Sequence, residues 1–459
     1  WYRVGSKHER SGYRGLAHLL EHMIFKGTAR LTESDINVAT QRMSGYTNAF
    51  TSHDFTGYLF DFPSSHHVLA YDLLADCMNN CTFMEDLLQS ELKAVIQELK
   101  MYKDDYESTL VEELISQIFS KHPYHYPIIG YKQDLCDVTR EKLLQFYHAY
   151  YRPNNAVLVV VGDVYVQEAI DTAAEYFQKI PAMPIPSVLP HAYQYEMAST
   201  NIVLYRQVEQ PILICAWVVP GTQARVDYAL ALLSIIIGQG RSSRLYARIV
   251  EDLHLATDVS CYVYDMMEYS LLIVQARSYR AADHQRIMQI IIEEMDRLKK
   301  DGWTATEMQR ARALCSVEHL IALEQYQNHA FALGKSYLTH NDEHYVYTYL
   351  DQTVDAATQS MHTLLSQYVL SSCMHSGSVE PIAPSELVFW QKAQEDADAL
   401  DACILNKKVR ESSVHEPRYA LTLQPDKPVS PEISDYQVST ISSGITVGTY
   451  IVPESGRIE

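Results

Sequence analysis

Four prolines stand within the ten residues of "PAMPIPSVLP" (181–190). No regular helix or central strand survives that density, because each proline fixes φ and removes a backbone donor. The stretch reads as the clearest linker in the chain, and the segments on either side follow one grammar. Before it, "LTESDINVATQRM" reads as a helix with Thr32 and Asp35 as a capping start. "TNAFTSHDFTGYLFDF" (47–62) alternates as a strand or hairpin, and a long helix runs on from Glu85. "VTREKLLQFYHAYYRP" is a capped helix stopped by Pro153, "NAVLVVVGDV" a core strand and "QEAIDTAAEYFQKI" an amphipathic helix. After the linker, "ILICAWVVPG" and "SLLIVQARS" read as strands. "VDYALALLSIIIG", "HQRIMQIIIEEMDRLKK" and "TATEMQRARALCSVEHLIALEQ" read as helices. This pattern predicts an α+β chain of two homologous α/β sandwich domains, each a mainly antiparallel sheet with helices packed on it.

The predicted boundaries are 1–185 for a first domain and 191–385 for a second. A connector follows over 386–434, containing a candidate helix, "ELVFWQKAQEDADALDACILNKK". In 435–459, "YQVSTISSGITVGTYIVPESG" holds two strand-like runs around Ser443 and Gly444, as the truncated start of a further repeat would. The chain opens inside an apparent strand, "WYRVGS", so the first domain is expected to lack its first strand. Both ends read as truncations of a longer protein.

A formal net charge of −20 argues against nucleic-acid binding through phosphate contacts and against an anionic membrane surface. The longest apolar runs, such as "ALALLSIIIG", are too short to span a bilayer. The eight cysteines form no C-x-x-C pair and several sit in apolar runs, as buried free thiols do. Cys77 and Cys81 are expected on one helix face. This usage mildly favours a reducing compartment, so a bacterial cytoplasm rather than a periplasm is the expectation.

The chemistry-bearing stretch is "GLAHLLEHMIFKGT" (15–28). On a helix His18 and His22, at i and i+4, aim both imidazoles at one ion. Glu21 borders the same face, where a general base acting on a zinc-polarised water would stand. H-x-x-E-H is the inverted zinc motif. A catalytic zinc usually takes three protein ligands, and the helix after Glu85 offers Glu91 and Glu98, seven residues apart on one face. One would ligate and the other orient a ligand from behind.

These residues carry a resemblance. "GLAHLLEHMIFKGT" resembles the active-site helix of the pitrilysin/insulinase family of zinc peptidases, which includes processing peptidases and many bacterial members. "TNAFTSHDFTGY" is similar to the strand after that site, where an Asn-Ala pair precedes a threonine. "ELKAVIQELK", "HPYHYPIIG" and "YYRPNNAVLVVVGDV" are similar to later landmarks, and "GQGRSSRLYARIVED" (238–252) to the opening helix of the noncatalytic second repeat. The resemblance implies a zinc endopeptidase, with His18, His22 and Glu98 holding one Zn2+ and Glu21 as the base. Glu98 stands 76 residues after His22, the family's spacing for its third ligand. Glu91 matches an acidic residue that supports the site. Asn48, Ala49 and Phe50 match an edge strand that holds the peptide substrate by its backbone.

The resemblance also implies a second two-domain half, in the same chain or a partner subunit, closing over the peptide. The family's arginine and tyrosine that bind substrate there have no assigned counterpart here. Arg244 and Tyr246 read as structural. "HPYHYP" reads as a structural turn, and "HNDEH" (340–344) as a polar loop rather than a second metal site. The competing expectation is a noncatalytic scaffold or peptide-binding subunit of the same family that needs a partner half.

Overall fold

Alternation of helix and strand in the first half resolves into a helix-rich unit. Helices α1 (Leu16–Ile24) and α2 (Glu33–Arg42) precede a hairpin of β1 (Tyr46–Thr51) and β2 (Thr56–Asp61). Four helices follow: α3 (His67–Asn79), α4 (Glu85–Asp104), α5 (Tyr106–Ile118) and α6 (Lys132–Cys136). The unit closes with α7 (Arg140–Tyr150), β3 (Val157–Val161) and α8 (Val166–Phe177). This computed structural model describes residues 1–186, 198–352, 354–383, 385–389, 391–392, 437–440 and 446–450. The end of the proline-rich stretch, the predicted domain start at 191 and nearly all of the predicted connector lie outside the described residues.

The second unit contains β4 (Asn201–Arg206), β5 (Ile212–Pro220), α9 (Asp227–Gly238), a π-helical turn at Tyr246–Asp252, β6 (Ala256–Tyr264) and β7 (Tyr269–Ser278). Then come α10 (His284–Asp301), α11 (Ala305–Glu324), α12 (Tyr326–His340), α13 (Tyr345–Thr348), α14 (Val354–Gln367) and β8 (His375–Pro381). Its five strands form one sheet in the order β4-β8-β5-β7-β6, antiparallel except for the β4·β8 pair. In the tail, β9 (Gln437–Thr440) and β10 (Thr446–Tyr450) build a three-stranded sheet with β3, where β10 runs parallel to β3.

Both faces of the five-stranded sheet are covered. Trp217 and Val274 pack towards the α9 side, with Leu233 and Ile236. Ile214, Ala216 and Ile273 pack on the other side against Leu110 and Leu114 of α5. For that reason β5 is a continuous apolar run without alternation. Helix α5 belongs to the first unit by sequence, yet it roofs the second unit's sheet and holds the two together. In the first unit, Leu16, Leu20 and Met23 of α1 share a core with Leu88 and Val95 of α4 and Leu143 of α7.

One expectation needs correction. Cys77 and Cys81 do not share a helix, because α3 ends at Asn79. Cys81 lies beyond it in a bridge to Thr28, and its thiol donates to the carbonyls of Cys77 and Ile24. Seven free cysteines are present among the described residues, all buried but Cys136.

Candidate metal centre and peptide edge

Helix α1 starts where the chain turns through Gly15 at φ +89°, and a Cβ there would stand 2.4 Å from the Ile129 carbonyl oxygen. No other residue fits without moving that loop. The carboxylate of the buried Glu9 accepts the N–H groups of Gly15 (2.8 Å) and Ala17 (2.6 Å). It satisfies donors that a helix start leaves open, and burial pushes its carboxyl up to about 8. Leu16, Ala17, Leu19, Leu20, Met23 and Ile24 are all buried, so the remaining stripe of His18, Glu21 and His22 faces outward from the core. Helix α4 buries Leu88, Leu92, Val95, Ile96 and Leu99. Its flank turns Glu91 and Glu98 towards that stripe.

The imidazoles of His18 and His22 stand 4.7 Å apart, centre to centre. Glu98 Oε2 lies 3.7 Å from His18 Nε2 and 3.4 Å from His22 Nε2. Atoms held tetrahedrally at ~2.0–2.1 Å from one zinc stand roughly 3.3–3.4 Å from one another, so the three side chains need only a small contraction to bind one ion. Among the described residues they are the one group of three metal-capable side chains whose ligand atoms all lie within 4.8 Å of one another. Glu98 Oε2 is buried and has no hydrogen-bond partner, which is the state of a ligand atom facing a cation site.

Charge favours a cation there as well. The carboxylates of Glu91 and then Glu98 push His22 up to about 9, so the cage already attracts a proton. Burial pulls His18 down to about 4, which keeps its imidazole neutral and its lone pair free. The interaction with His22 chiefly holds Glu98 below the usual carboxylate range. Burial would raise Glu91, but hydrogen bonds from His22 and Lys26 outweigh it and hold it low. Glu91 lies 3.3 Å from His22 Nδ1, and so fixes the ring with Nε2 turned to the ion. Lys26 Nζ, 2.8 Å from the other Glu91 oxygen and 2.7 Å from Glu33, anchors it from behind.

Glu21 borders the cage. Burial raises its carboxyl above the usual range, opposed by a hydrogen bond from Thr51. That bond is short, with Thr51 Oγ1 donating to Glu21 Oε2 at 2.6 Å.

Strand β1 carries Asn48, Ala49 and Phe50, and among the described residues pairs on one side only, with β2. Thr56 of β2 exchanges both of its backbone hydrogen bonds with Tyr2 on its far side. By alternation, Thr47, Ala49 and Thr51 turn their N–H and C=O groups to the open edge of β1. Asn48 Oδ1 accepts the outward Ala49 N–H at 2.9 Å, so a side chain occupies a bond that an added strand would make. A cavity of about 570 Å³ runs from the cage past this strand to Tyr262 and Tyr264 of β6. Phe50 points the other way and packs against Trp1 and Phe331.

The remaining candidates are structural. Arg244 makes a two-pronged ion pair with Glu307 (2.6 and 2.9 Å) and caps the Gly302 carbonyl. In "HPYHYP", the Tyr124 hydroxyl is buried against Asp54 (2.8 Å). Asn341 in "HNDEH" is the left-handed cap that ends α12. Thr51 and Lys26 had no assigned role in the sequence reading. Strand alternation places Thr51 on the same face as Thr47 and Ala49, a signal that could have drawn attention to it.

Comparison with known proteins bears on the same residues. The family model for insulinase, peptidase family M16, matches residues 1–132, and the model for the peptidase M16 inactive domain matches residues 137–315. His18, Glu21, His22, Glu91 and Glu98 all fall within the first match. The zinc protease PqqE of Helicobacter pylori is 26% identical over 371 residues, covering 80% of this chain and 83% of the relative. The uncharacterized zinc protease YmxG of Bacillus subtilis is 28% identical over 338 residues, covering 74% and 81%. The crystal structure of a protease from Helicobacter pylori superposes with a TM-score of 0.76 at 24% identity, over 83% of this chain and 93% of the other.

Proposed function

The chain belongs to the insulinase family of peptidases, M16, and from that premise we propose that it is a zinc-dependent endopeptidase acting on peptides or unfolded polypeptides. The observation that carries this reading is the cage of His18, His22 and Glu98, whose spacing, charge and carboxylate oxygen free of a hydrogen bond fit one Zn2+. The domain described as inactive coincides with residues 137–315 and leaves these side chains outside it.

A zinc ion held by those three residues supplies a Lewis acid that acidifies water and polarises a carbonyl. The chain does the rest. An extended peptide adds to the open edge of β1 through the backbone of Thr47, Ala49 and Thr51, displacing Asn48 Oδ1 from the Ala49 N–H. Binding through main-chain groups admits varied side chains. Glu21 takes a proton from the attacking water and delivers it to the leaving amine. Burial raises its carboxyl, which suits a group that must both accept and return a proton. Glu91 keeps His22 in the tautomer that offers Nε2. A second two-domain half, in the same chain or a partner subunit, would enclose the bound peptide.

The test separates binding from chemistry. Purified protein should hold close to one zinc per chain and cut an internally quenched peptide, with loss of cutting on chelation and recovery on adding zinc. Glu21→Gln should keep the zinc and lose about 10²- to 10⁴-fold in kcat, whereas His22→Ala should lose both. Failure of the intact protein to bind zinc would sink the reading.

A further inference from the structure

We propose that Thr51 is a positioning residue that ties the base Glu21 to the strand on which the peptide docks. This rests on the peptidase reading above. Thr51 ends β1, and its backbone N–H and C=O face the strand's open edge, in register with Ala49. Its side chain turns inward, and the hydroxyl donates to Glu21 Oε2 at 2.6 Å. Among the described residues no other hydrogen bond to the Glu21 carboxylate is found. A carboxylate on a helix has a loose terminal torsion, and one such bond removes that freedom. With Oε2 committed, Oε1 is the oxygen left to receive the proton. One residue thus contacts the peptide with its main chain and the base with its side chain. The distance between scissile carbonyl and base is then set by a single strand position, and a displacement of 1 Å in such a geometry is costly.

The test uses Thr51→Val, which keeps the β-branched shape and removes the donor, and Thr51→Ser, which keeps the donor. In the zinc-loaded protein, Thr51→Val should lower kcat about ten- to hundredfold with KM within about threefold and zinc content unchanged. Thr51→Ser should recover most of that loss. A merely structural threonine would show equal effects in the two variants, or losses of zinc and KM together.

A second readout needs neither metal nor activity. In the metal-free protein Thr51→Val should lower the melting temperature by about 2–4 °C, and the shift should vanish in a Glu21→Ala background. An active wild type with a fully active Thr51→Val variant overturns the proposal and leaves the peptidase reading standing. A zinc-bound wild type that cuts no peptide overturns both. An undiminished melting shift in the Glu21→Ala background shows that hydroxyl and carboxylate do not couple, and also overturns the proposal.

Discussion

Glu91, with its side chain 12% exposed, has one oxygen 3.3 Å from His22 Nδ1 and the other 2.8 Å from Lys26 Nζ. It lies behind the imidazole rather than at the ion, and its effect is on ring orientation and ligand basicity. Glu91→Gln keeps an acceptor for the Nδ1 proton but removes the charge that strengthens the bond. Zinc affinity should fall about 10- to 100-fold, read by competition with a chromophoric chelator, with little change in the melting temperature of the metal-free protein. Affinity equal to wild type would mean that Glu91 serves only as a partner for Lys26. Lys26→Met gives the graded version of the same experiment, since it leaves Glu91 in place and removes its anchor. A smaller loss of affinity, in the same direction, is expected.

Among the elements, α1 was the most legible in the sequence, and what holds its start was the least. Apolar positions at helical spacing mark its buried face, and His18, Glu21 and His22 fall on the other. The capping box of α2 is likewise local: Thr32 accepts the Asp35 N–H and Asp35 accepts the Thr32 N–H, at 3.2 and 2.9 Å. The β1–β2 hairpin followed from alternation. Glu98 could be reduced by helix-face spacing to one of two acids, and only the family resemblance chose between them. Helix α11 shows where pattern fails, because Val317, Leu320 and Ile321 are all more than half exposed and blur its apolar stripe. The cap on α1 was invisible because a glutamate six residues ahead of a glycine carries no helix signal. Yet Glu9→Ala should strip two N–H groups of their acceptor at a buried helix start. The expected cost is roughly 2–4 kcal/mol, seen in urea unfolding of the metal-free protein. Zinc affinity should drop with it, because the helix that carries both histidines frays from that end. Unchanged stability would mean that the backbone N–H groups find water instead.

At the scale of the molecule, the two units meet at a polar seam that no local pattern announces, since its partners are up to 261 residues apart. Asp54, just after β1, accepts the Tyr124 hydroxyl (2.8 Å), the Met267 N–H (3.0 Å) and Lys7 Nζ (2.7 Å). Glu268, in the β6–β7 turn, accepts Lys7 (3.0 Å) and pairs with His122 (3.1 Å). The seam sits beside the cavity that joins the cage to β6, so its integrity sets how far β1 stands from Tyr262 and Tyr264. Two of its groups make it acid-sensitive in the same direction. Burial pulls His53, 5% exposed and bonded to Ser6, down to about 4 from the usual 6.5. The hydrogen bond from His122, with Lys7 behind it, holds Glu268 at about 2, below the usual 4.5. In both cases the unfolded chain takes up the proton first, so stability falls as pH falls. The His53 contribution, at most roughly 3 kcal/mol, is present above pH 6.5 and is lost on descent to about 4. The Glu268 contribution is present above about 4.5 and is lost towards 2. Being partly exposed, Glu268 contributes less than its shift alone would indicate. These two groups therefore pull the melting temperature of the metal-free protein down between pH 6.5 and 4 and again below 4.5, while the buried Glu9, pushed up to about 8, acts in the opposite direction above 4.5. Glu268→Gln should make the lower branch shallower and leave the upper one, whereas His53→Gln should make the upper branch shallower, with His18 still titrating in that window. An upper branch as steep in His53→Gln as in the wild type would show that the seam does not depend on a neutral His53.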